Sequence, residues 1–509
     1  MQEKLPHTIE RPPIVVIMGH IDHGKSTLLD YIRRSNVVAS EAGGITQHMS
    51  AYEVVHAPTP AGAGSGSRPQ ASGKKITFLD TPGHAAFSSM RSRGATVADI
   101  AILVVSAEDG VKLQTLEALT AIEEAKLPYI VAITKIDKEN ANIERVKQDL
   151  ATHNIFLEGY GGSVPCVPVS GKTGAGISEL LDMLLLVAEL GEYTADTARS
   201  ACGSVIETSR DSRRGTSATL VIQDGTLHRG DLVLLDGCIT PVRLLEDYAG
   251  ASIAEATVSA PVRIVGCTSE PAVGSQFQAF ATRKLAEAAL EQIATTTAVA
   301  SERRLIRTVE IPIILKSDVA GTLEAIQTEL AKLATEEVGI HVVQSGVGPI
   351  SETDVKVASG TLTPPLIIGF HVKPEKSAQA YALQMGLTIH SFDVIYDIIK
   401  LLEAEIELRR PRVQTEEVLG RVKILKVFNR AKDKQVVGGT VFEGKMTDQG
   451  QVKLMRHEHE IGRGRIVELQ AHKLKVKEVE SGNQCGVLVD AKMTIAPGDI
   501  LEAFILVTK

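Results

Sequence analysis

The run Gly19-His20-Ile21-Asp22-His23-Gly24-Lys25-Ser26-Thr27 follows an apolar stretch at Ile14 to Met18, where a phosphate-binding loop sits between a strand and a helix. Glycines at 19 and 24 let the backbone turn its N–H groups inward around phosphate oxygens, and a helix starting near Lys25 aims its positive dipole end at them. Lys25 would neutralise the outer phosphates and the Ser26 hydroxyl would hold magnesium. Many nucleotide-binding folds share one such loop, so further segments must decide its ligand. Asp80-Thr81-Pro82-Gly83-His84 follows the apolar residues Ile76 to Leu79, which lets Asp80 reach the magnesium while Gly83 offers an N–H to the terminal phosphate. Thr134-Lys135-Ile136-Asp137 follows Tyr129 to Ile133, and Ser170-Gly171-Lys172 follows Val167 to Val169. Each segment lies just after a strand, at the carboxyl edge of a parallel sheet where ligands bind.

A buried carboxylate at Asp137 can accept from both the ring N–H and the exocyclic amine of guanine, two donors that adenine does not present side by side. Such pairing discriminates by about 10⁴-fold or more, so the expected ligand is GTP or GDP. The Lys135 stem would cover the base, and the Gly171 N–H would meet the guanine carbonyl oxygen. Taken alone, Thr134 to Asp137 reads equally well as a strand-end turn with a solvated charge pair. Its order among the other segments favours the nucleotide.

With Gly43-Gly44-Ile45-Thr46-Gln47 between the first two, these motifs resemble the translational GTPases. Gly19 to Ser26, Glu41 to His48 and Asp80 to Phe87 look like bacterial-type translation initiation factor two, and the resemblance runs from about residue 11 to the end. It implies that Thr46 is the switch-one magnesium ligand, that His84 orients the attacking water, and that Asp22 helps to bind a monovalent cation. It also implies slow intrinsic hydrolysis completed by the ribosome. Two residues depart from the family pattern: Thr134 stands where Asn is usual and Gly171 where Ala is usual. A threonine hydroxyl can still tie neighbouring loops but lacks the two-ended amide, so weaker nucleotide affinity with retained guanine preference is expected.

Length and composition set the frame for these motifs. The chain has 509 residues, 44% hydrophobic and 23% charged, room for three to five domains of ordinary composition. A formal net charge of -8 argues against non-specific coating of nucleic acid and for local contacts. No run approaches 18 apolar residues and the first ten carry no signal pattern, which points to a cytoplasmic protein without membrane contact. The five cysteines, Cys166, Cys202, Cys238, Cys267 and Cys485, are odd in number and widely spaced, as buried thiols in a reducing compartment are. His457-Glu458-His459 would put two imidazoles on one strand face, as polar residues in contact with solvent and with no further cluster to complete a metal site.

The expected architecture is multidomain α/β and β. A P-loop GTPase domain at 11–191 is followed by a β-barrel at 201–281, where short β-branched runs alternate with Gly and Asp turns. A three-layer α/β domain at 306–392 follows an Ala-rich helix at 284–300. Residues 314 to 326 and 345 to 355 are the strongest family signatures outside the GTPase, and Ser351 with Asp354 reads as a helix cap. A connecting helix at 393–412 would form a rod of about 25 Å, with a docked hairpin equally open. The segment Pro58 to Gly73 reads as a flexible insertion that still lets its flanking strands pair. The family's long N-terminal region is expected to be absent.

A last barrel at 416–509, faintly echoing the first, is where the family grips the formylmethionine end of initiator transfer RNA. Arg456, His472, Lys473, Cys485 and Gly486 are the candidate contacts, among several basic residues suited to phosphate. Gly439 stands where a second Cys is usual, and Gln470-Ala471-His472 replaces a Lys-Arg-Tyr run. Cys485 has an even alternative as a small core residue. The implied protein is a monomeric initiation factor that promotes initiator formylmethionyl-tRNA binding to the small ribosomal subunit and subunit joining, with GTP/GDP and Mg2+ as cofactors. The alternatives are another translational GTPase of the elongation-factor type, and a P-loop phosphotransferase acting on a small metabolite.

Overall fold

Strictly apolar strands alternate their side chains between two helical layers, and this pattern builds the nucleotide-binding domain. In the computed structural model, which describes residues 8–33, 46–57, 73–294, 309–333, 338–361, 363–410, 414–431, 433–457, 459–472 and 474–508, the chain divides into two units, 1–409 and 410–509.

The first strand, β1 (Thr8–Glu10), is followed by β2 (Ile14–Gly19), α1 (Lys25–Arg33), β3 (Ser50–His56), β4 (Lys74–Asp80), α2 (Ser88–Val97) and β5 (Ile100–Ser106). Then come α3 (Leu113–Glu124), β6 (Tyr129–Thr134), α4 (Ile143–Thr152), β7 (Cys166–Pro168), α5 (Ile177–Gly191) and β8 (Thr194–Asp196). The six-stranded sheet has the order β3-β4-β2-β5-β6-β7. All neighbours are parallel except the edge pair β3–β4. Along β2, Val15 and Ile17 pack with α1 and α5, while Ile14, Val16 and Met18 face the α2, α3 and α4 side, as alternation across a strand requires. The β3–β4 pairing continues to Val55 opposite Lys75 and His56 opposite Lys74. The insertion read at 58–73 lies, apart from Gly73, outside the described residues.

Between the two domains, residues 192–200 contain β8, which pairs with β1. A seven-stranded antiparallel sheet follows, starting with Cys202–Asp211 and ending with Gln276–Phe280, wrapped around a single apolar core. Helix α6 (Arg283–Ala294) succeeds it, and the rest of the Ala-rich segment lies outside the described residues.

The third domain is a four-stranded parallel sheet in the order Val338–Val347, Val309–Ser317, Leu366–Phe370, Ile389–Phe392. Its helices are α7 (Ala320–Leu333), α8 (Glu352–Ser359), α9 (Lys376–Met385) and α10 (Ile395–Arg409). Packing with α7 and α10 covers one face, and packing with α8 and α9 covers the other. Ser351 and Asp354 form the expected cap, the Ser351 N–H and hydroxyl each donating to the Asp354 carboxylate at 2.8 Å.

Helix α10 decides between the rod and the docked alternative in favour of docking. Ile395, Ile398 and Leu402 recur at helical spacing and are buried beneath α7 and the sheet, with Ile406 packed beside them. An apolar stripe of that width drives docking, because an isolated helix of 15 residues is marginal in water.

In the second unit, six strands close a ring. Gln414–Ala431 pairs with Ile500–Thr508, which pairs with Gln451–Arg456, then His459–Ala471, Gln484–Ala491 and Lys434–Thr447, and this last strand returns to the first. A correction falls here: His457 occupies the hairpin turn between two strands, at φ 47°, so it does not share a strand face with His459.

Candidate functional site

The carboxyl ends of β2, β4 and β6 converge on one cavity of about 350 Å³, at the sheet edge where α/β folds bind ligands. The loop after β2 bends through Gly19 (φ 145°), Asp22 (φ 59°) and Gly24 (φ 86°). A Cβ at Gly19 would lie 2.4 Å from the Val104 carbonyl, so glycine is required for the loop to leave the sheet so closely. Lys25, at the start of α1, donates through Nζ to the carbonyls of Gly19 at 2.9 Å and His20 at 2.7 Å. Burial pushes its ammonium down to about 8, against the opposing pull of the Asp80 and Asp22 carboxylates. The turn after β4 comes so near that a Cβ on Gly83 would meet Lys25 Nζ at 2.4 Å and the Ile21 nitrogen at 3.1 Å.

Ser26 and Thr46 share a hydrogen bond of 2.8 Å between their hydroxyls. Asp80 closes β4 and acts electrostatically on Lys25 but does not line the cavity; the three residues carry oxygen donors of the kind Mg2+ takes. Residues Gly43 to Ile45 lie outside the described residues.

At the far end of the cavity, Thr134, Lys135, Asp137, Gly171 and Lys172 line the wall, and Asp22, Gly24, Ser26 and Thr27 line the near side. The expectation of a buried Asp137 is corrected: it is exposed, because it sits on the turn beyond β6 at the rim. Ser170 Oγ donates to its Oδ1 at 2.7 Å, and this bond holds the carboxylate below the usual range. Lys135, at φ 58°, extends toward Glu108 and Asp109, at 3.4 and 3.7 Å. The Thr134 hydroxyl donates to the His23 carbonyl and lies 3.3 Å from the Val105 carbonyl, so it ties the phosphate loop to the sheet. A Cβ on Gly171 would stand 2.9 Å from the Leu28 nitrogen, against the backbone of α1.

The structure does not bring every candidate side chain to the cavity. His23 is 1% exposed and lies beneath the loop, its Nδ1 accepting from the Ser106 N–H at 3.3 Å. Burial drives its pKa down to about 3, so it is neutral and can serve a ligand only through its backbone. Gly19 and Ser170 likewise support the wall from behind.

His84 does line the cavity. Its Nδ1 accepts from the Ala86 N–H at 2.9 Å, which assigns the proton to Nε2, and burial lowers its pKa. The buried Arg91 donates to the His84 carbonyl at 2.5 Å and pairs with Glu117 at 2.7 Å. Facing His84 is the third domain. Tyr396 packs edge-on against the imidazole, 4.5 Å between centroids, Ile395 lines the cavity, and Gln47 Nε2 donates to the Asp393 carbonyl at 2.9 Å. None of these three was anticipated. An aromatic residue beginning an amphipathic helix was the only local signal.

In the second unit the candidates are scattered. Arg456 is held by Asp499 in a two-pronged pair, both contacts 2.7 Å, and its charge is therefore already matched. Cys485 points into the barrel core, 5% exposed, with burial raising its thiol to about 11, which selects the core-residue alternative. Gly439 lies directly opposite Cys485, where a Cβ would meet the Lys423 carbonyl at 2.4 Å. Gly486 pairs with Gln470, two residues before His472 on an exposed turn, while Arg456, on the neighbouring strand, pairs with His459 at the other end of the strand that carries Gln470. Lys473 lies outside the described residues. An exposed Phe428 packs against Gly438, whose cross-strand neighbour is Gly486.

Comparison with known families agrees with this arrangement. The family model Elongation factor Tu GTP binding domain matches residues 10–189, Elongation factor G domain 2 matches 200–280, and Translation-initiation factor 2 matches 285–403. "Translation initiation factor IF-2" of Desulforamulus reducens is 41% identical over 97% of this chain, which spans 50% of that relative. Its counterpart in Clostridium perfringens is 39% identical, with 97% of this chain and 72% of the relative covered. The crystal structure of GDP-bound aIF5B from Aeropyrum pernix aligns at 29% identity, 97% of this chain and 92% of that one, with a TM-score of 0.45. The chain thus spans from about half to nearly three quarters of the length of these curated relatives, and it belongs to the translation initiation factor IF-2 family.

Proposed function

We propose that this chain is a GTP-hydrolysing initiation factor that promotes binding of initiator formylmethionyl-tRNA to the small ribosomal subunit and the joining of the subunits. The observation that carries this reading is the single cavity flanked by Lys25, the Ser26–Thr46 hydroxyl pair and the Asp137–Ser170 rim, closed on its hydrolytic side by the domain that matches Translation-initiation factor 2.

Lys25 and the loop N–H groups hold the phosphates, and Asp137 with the Gly171 N–H reads guanine. Ser26, Thr46 and Asp80 would hold Mg2+, which supplies charge neutralisation between the outer phosphates. Asp22 stands at the loop for a monovalent cation. His84, neutral with its proton on Nε2, donates a hydrogen bond and so orients water rather than removing its proton. In the reaction a water oxygen bonds to the terminal phosphorus, the bridging P–O bond breaks with its electron pair staying on GDP, and both water protons leave with the phosphate as dihydrogen phosphate. With Tyr396 against the imidazole, His84 must be repositioned for this work, and the ribosome supplies that step.

In the second unit, the shallow surface of Phe428, Gly438 and Gly486 near His472 is the proposed seat of the aminoacyl end, with Lys473 and neighbouring lysines contacting phosphate. The protein acts as a cytoplasmic monomer. The test is GTP turnover with and without purified ribosomes. Stimulation by ribosomes is expected, as is its loss in His84→Ala with GTP affinity nearly unchanged. Unstimulated turnover, or an equal loss of GTP binding in the variant, refutes the assignment and favours a small-molecule phosphotransferase.

A further inference from the structure

Outside the nucleotide cavity, the described residues bring His48, Asp318 and His371 to one point, where the segment after Thr46 meets the third domain. His371 Nδ1 lies 3.1 Å from His48 Nε2. Asp318 Oδ2 lies 3.4 Å from His48 Nε2 and 3.5 Å from His371 Nδ1. One face of a tetrahedron with bonds of about 2.0–2.1 Å has edges of about 3.3–3.4 Å, so a single ion can sit within bonding distance of all three atoms.

The surroundings orient the three groups toward that point. His371 Nε2 is 2.7 Å from the Asp393 carbonyl, which can only accept, so the proton stays on Nε2 and the Nδ1 lone pair faces inward, as the outer partners of metal-bound histidines arrange. Asp318 Oδ1 accepts from the Val319 N–H at 2.9 Å and lies 3.2 Å from Ser317 Oγ, which turns Oδ2 toward the imidazoles. His48 Nδ1 is buried with no hydrogen-bond partner among the described residues, so that ring is anchored only through the cluster. His371 holds a left-handed backbone, φ 53°, a conformation that costs a non-glycine residue energy and collects at functional sites. Without an ion, two ring nitrogens 3.1 Å apart need a proton between them. Asp318 raises the pKa of His371, while burial lowers that of His48, so one shared proton is the alternative occupant.

We propose that His48, Asp318 and His371 bind a zinc-class divalent transition ion, with water completing the coordination. Two histidines and a carboxylate suit such an ion better than Mg2+ or Ca2+, which prefer oxygen donors. The ion clips residues 46–49 to the third domain. Because Thr46 is two residues from His48 and touches Ser26, metal occupancy sets how firmly this segment is held at the nucleotide.

The test uses the full chain, stripped with a chelator, then titrated with Zn2+ against a chromophoric competitor and with Co2+ followed by visible absorption. One tight site per chain with a tetrahedral Co2+ spectrum is expected. His371→Asn and Asp318→Asn should each weaken Zn2+ by at least about 100-fold, with circular dichroism and a cooperative thermal melt confirming that the variants are folded. Absence of a tight site in the parent, unchanged affinity in both variants, or a thiolate-to-cobalt charge-transfer band that places the ion on cysteine overturns the proposal.

Discussion

Replacing Thr134 with Val keeps the shape of the side chain and removes one hydroxyl. That hydroxyl is buried, donates to the His23 carbonyl and approaches the Val105 carbonyl. The variant strands the His23 oxygen inside the protein, which costs about 1–3 kcal/mol. Since His23 belongs to the phosphate loop, the cost falls on the geometry that receives the phosphates. At about 1.4 kcal/mol per factor of ten, GDP affinity should fall by about 5- to 150-fold. Any part that appears as lost stability lowers the melting temperature by about 2–4 °C per kcal/mol for a domain of this size. Titration calorimetry with GDP and a thermal melt measure the two shares. Thr134→Ser retains the donor and should stay near the parent, while Thr134→Asn, whose amide N–H can reach the same carbonyl and whose oxygen adds an acceptor, should bind GDP at least as tightly as the parent. A Val variant that binds GDP within twofold of the parent and melts with it would show that the hydroxyl does not hold the loop.

Lys25 predicts a pH dependence of nucleotide binding. Its pKa near 8 in the ligand-free protein must rise when phosphates surround it, so binding takes up a proton above that pH and weakens as pH rises. Between pH 7.5 and 9 the affinity for GDP should fall by about eightfold, and a flat calorimetric profile would contradict it. Glu207, on Cys202–Asp211, accepts from the Gly321 N–H of α7 at 3.1 Å and is pushed up to about 7 by burial. Its folded pKa exceeds its ordinary value near 4.5, so the folded state binds the extra proton and stability falls as pH rises from about 4.5 to 7, by about 3 kcal/mol. Glu207→Gln should melt above the parent at pH 8 and lose most of that advantage at pH 5. Equal offsets at both pH values would show that the carboxylate does not titrate between them and that burial does not raise its pKa.

What could be read from the sequence was whatever a local spacing carries. The glycines at 19 and 24, the strand-then-loop position of Asp80 and Thr134, and the Ser351–Asp354 cap each depend on residues a few positions apart. The cover over His84 could not be read that way. Gln47 meets Asp393 across 346 positions, and nothing near either residue announces the other. The same holds for His48 with His371. For helix α10 the sequence leaves rod and docked packing equally open, and burial of Ile395, Ile398 and Leu402 on the domain face decides for docking. Asp137 erred in the opposite direction, since a residue that reads a base stands at a rim and is covered by the ligand rather than by the fold. Arg456 looked available for phosphate because its partner Asp499 is distant in sequence and brought near only by the barrel.

The closed ring of the second unit has a mechanical consequence. An open sheet can fray from an edge, and a strand there can slip by one residue at local cost. In a hoop of six strands whose last member bonds to the first, a slip at any seam must be matched at every other, and each mismatch would turn buried side chains outward. Among the described residues the six strands of the ring therefore have no end from which to unzip, and they hold or lose their shape as one piece.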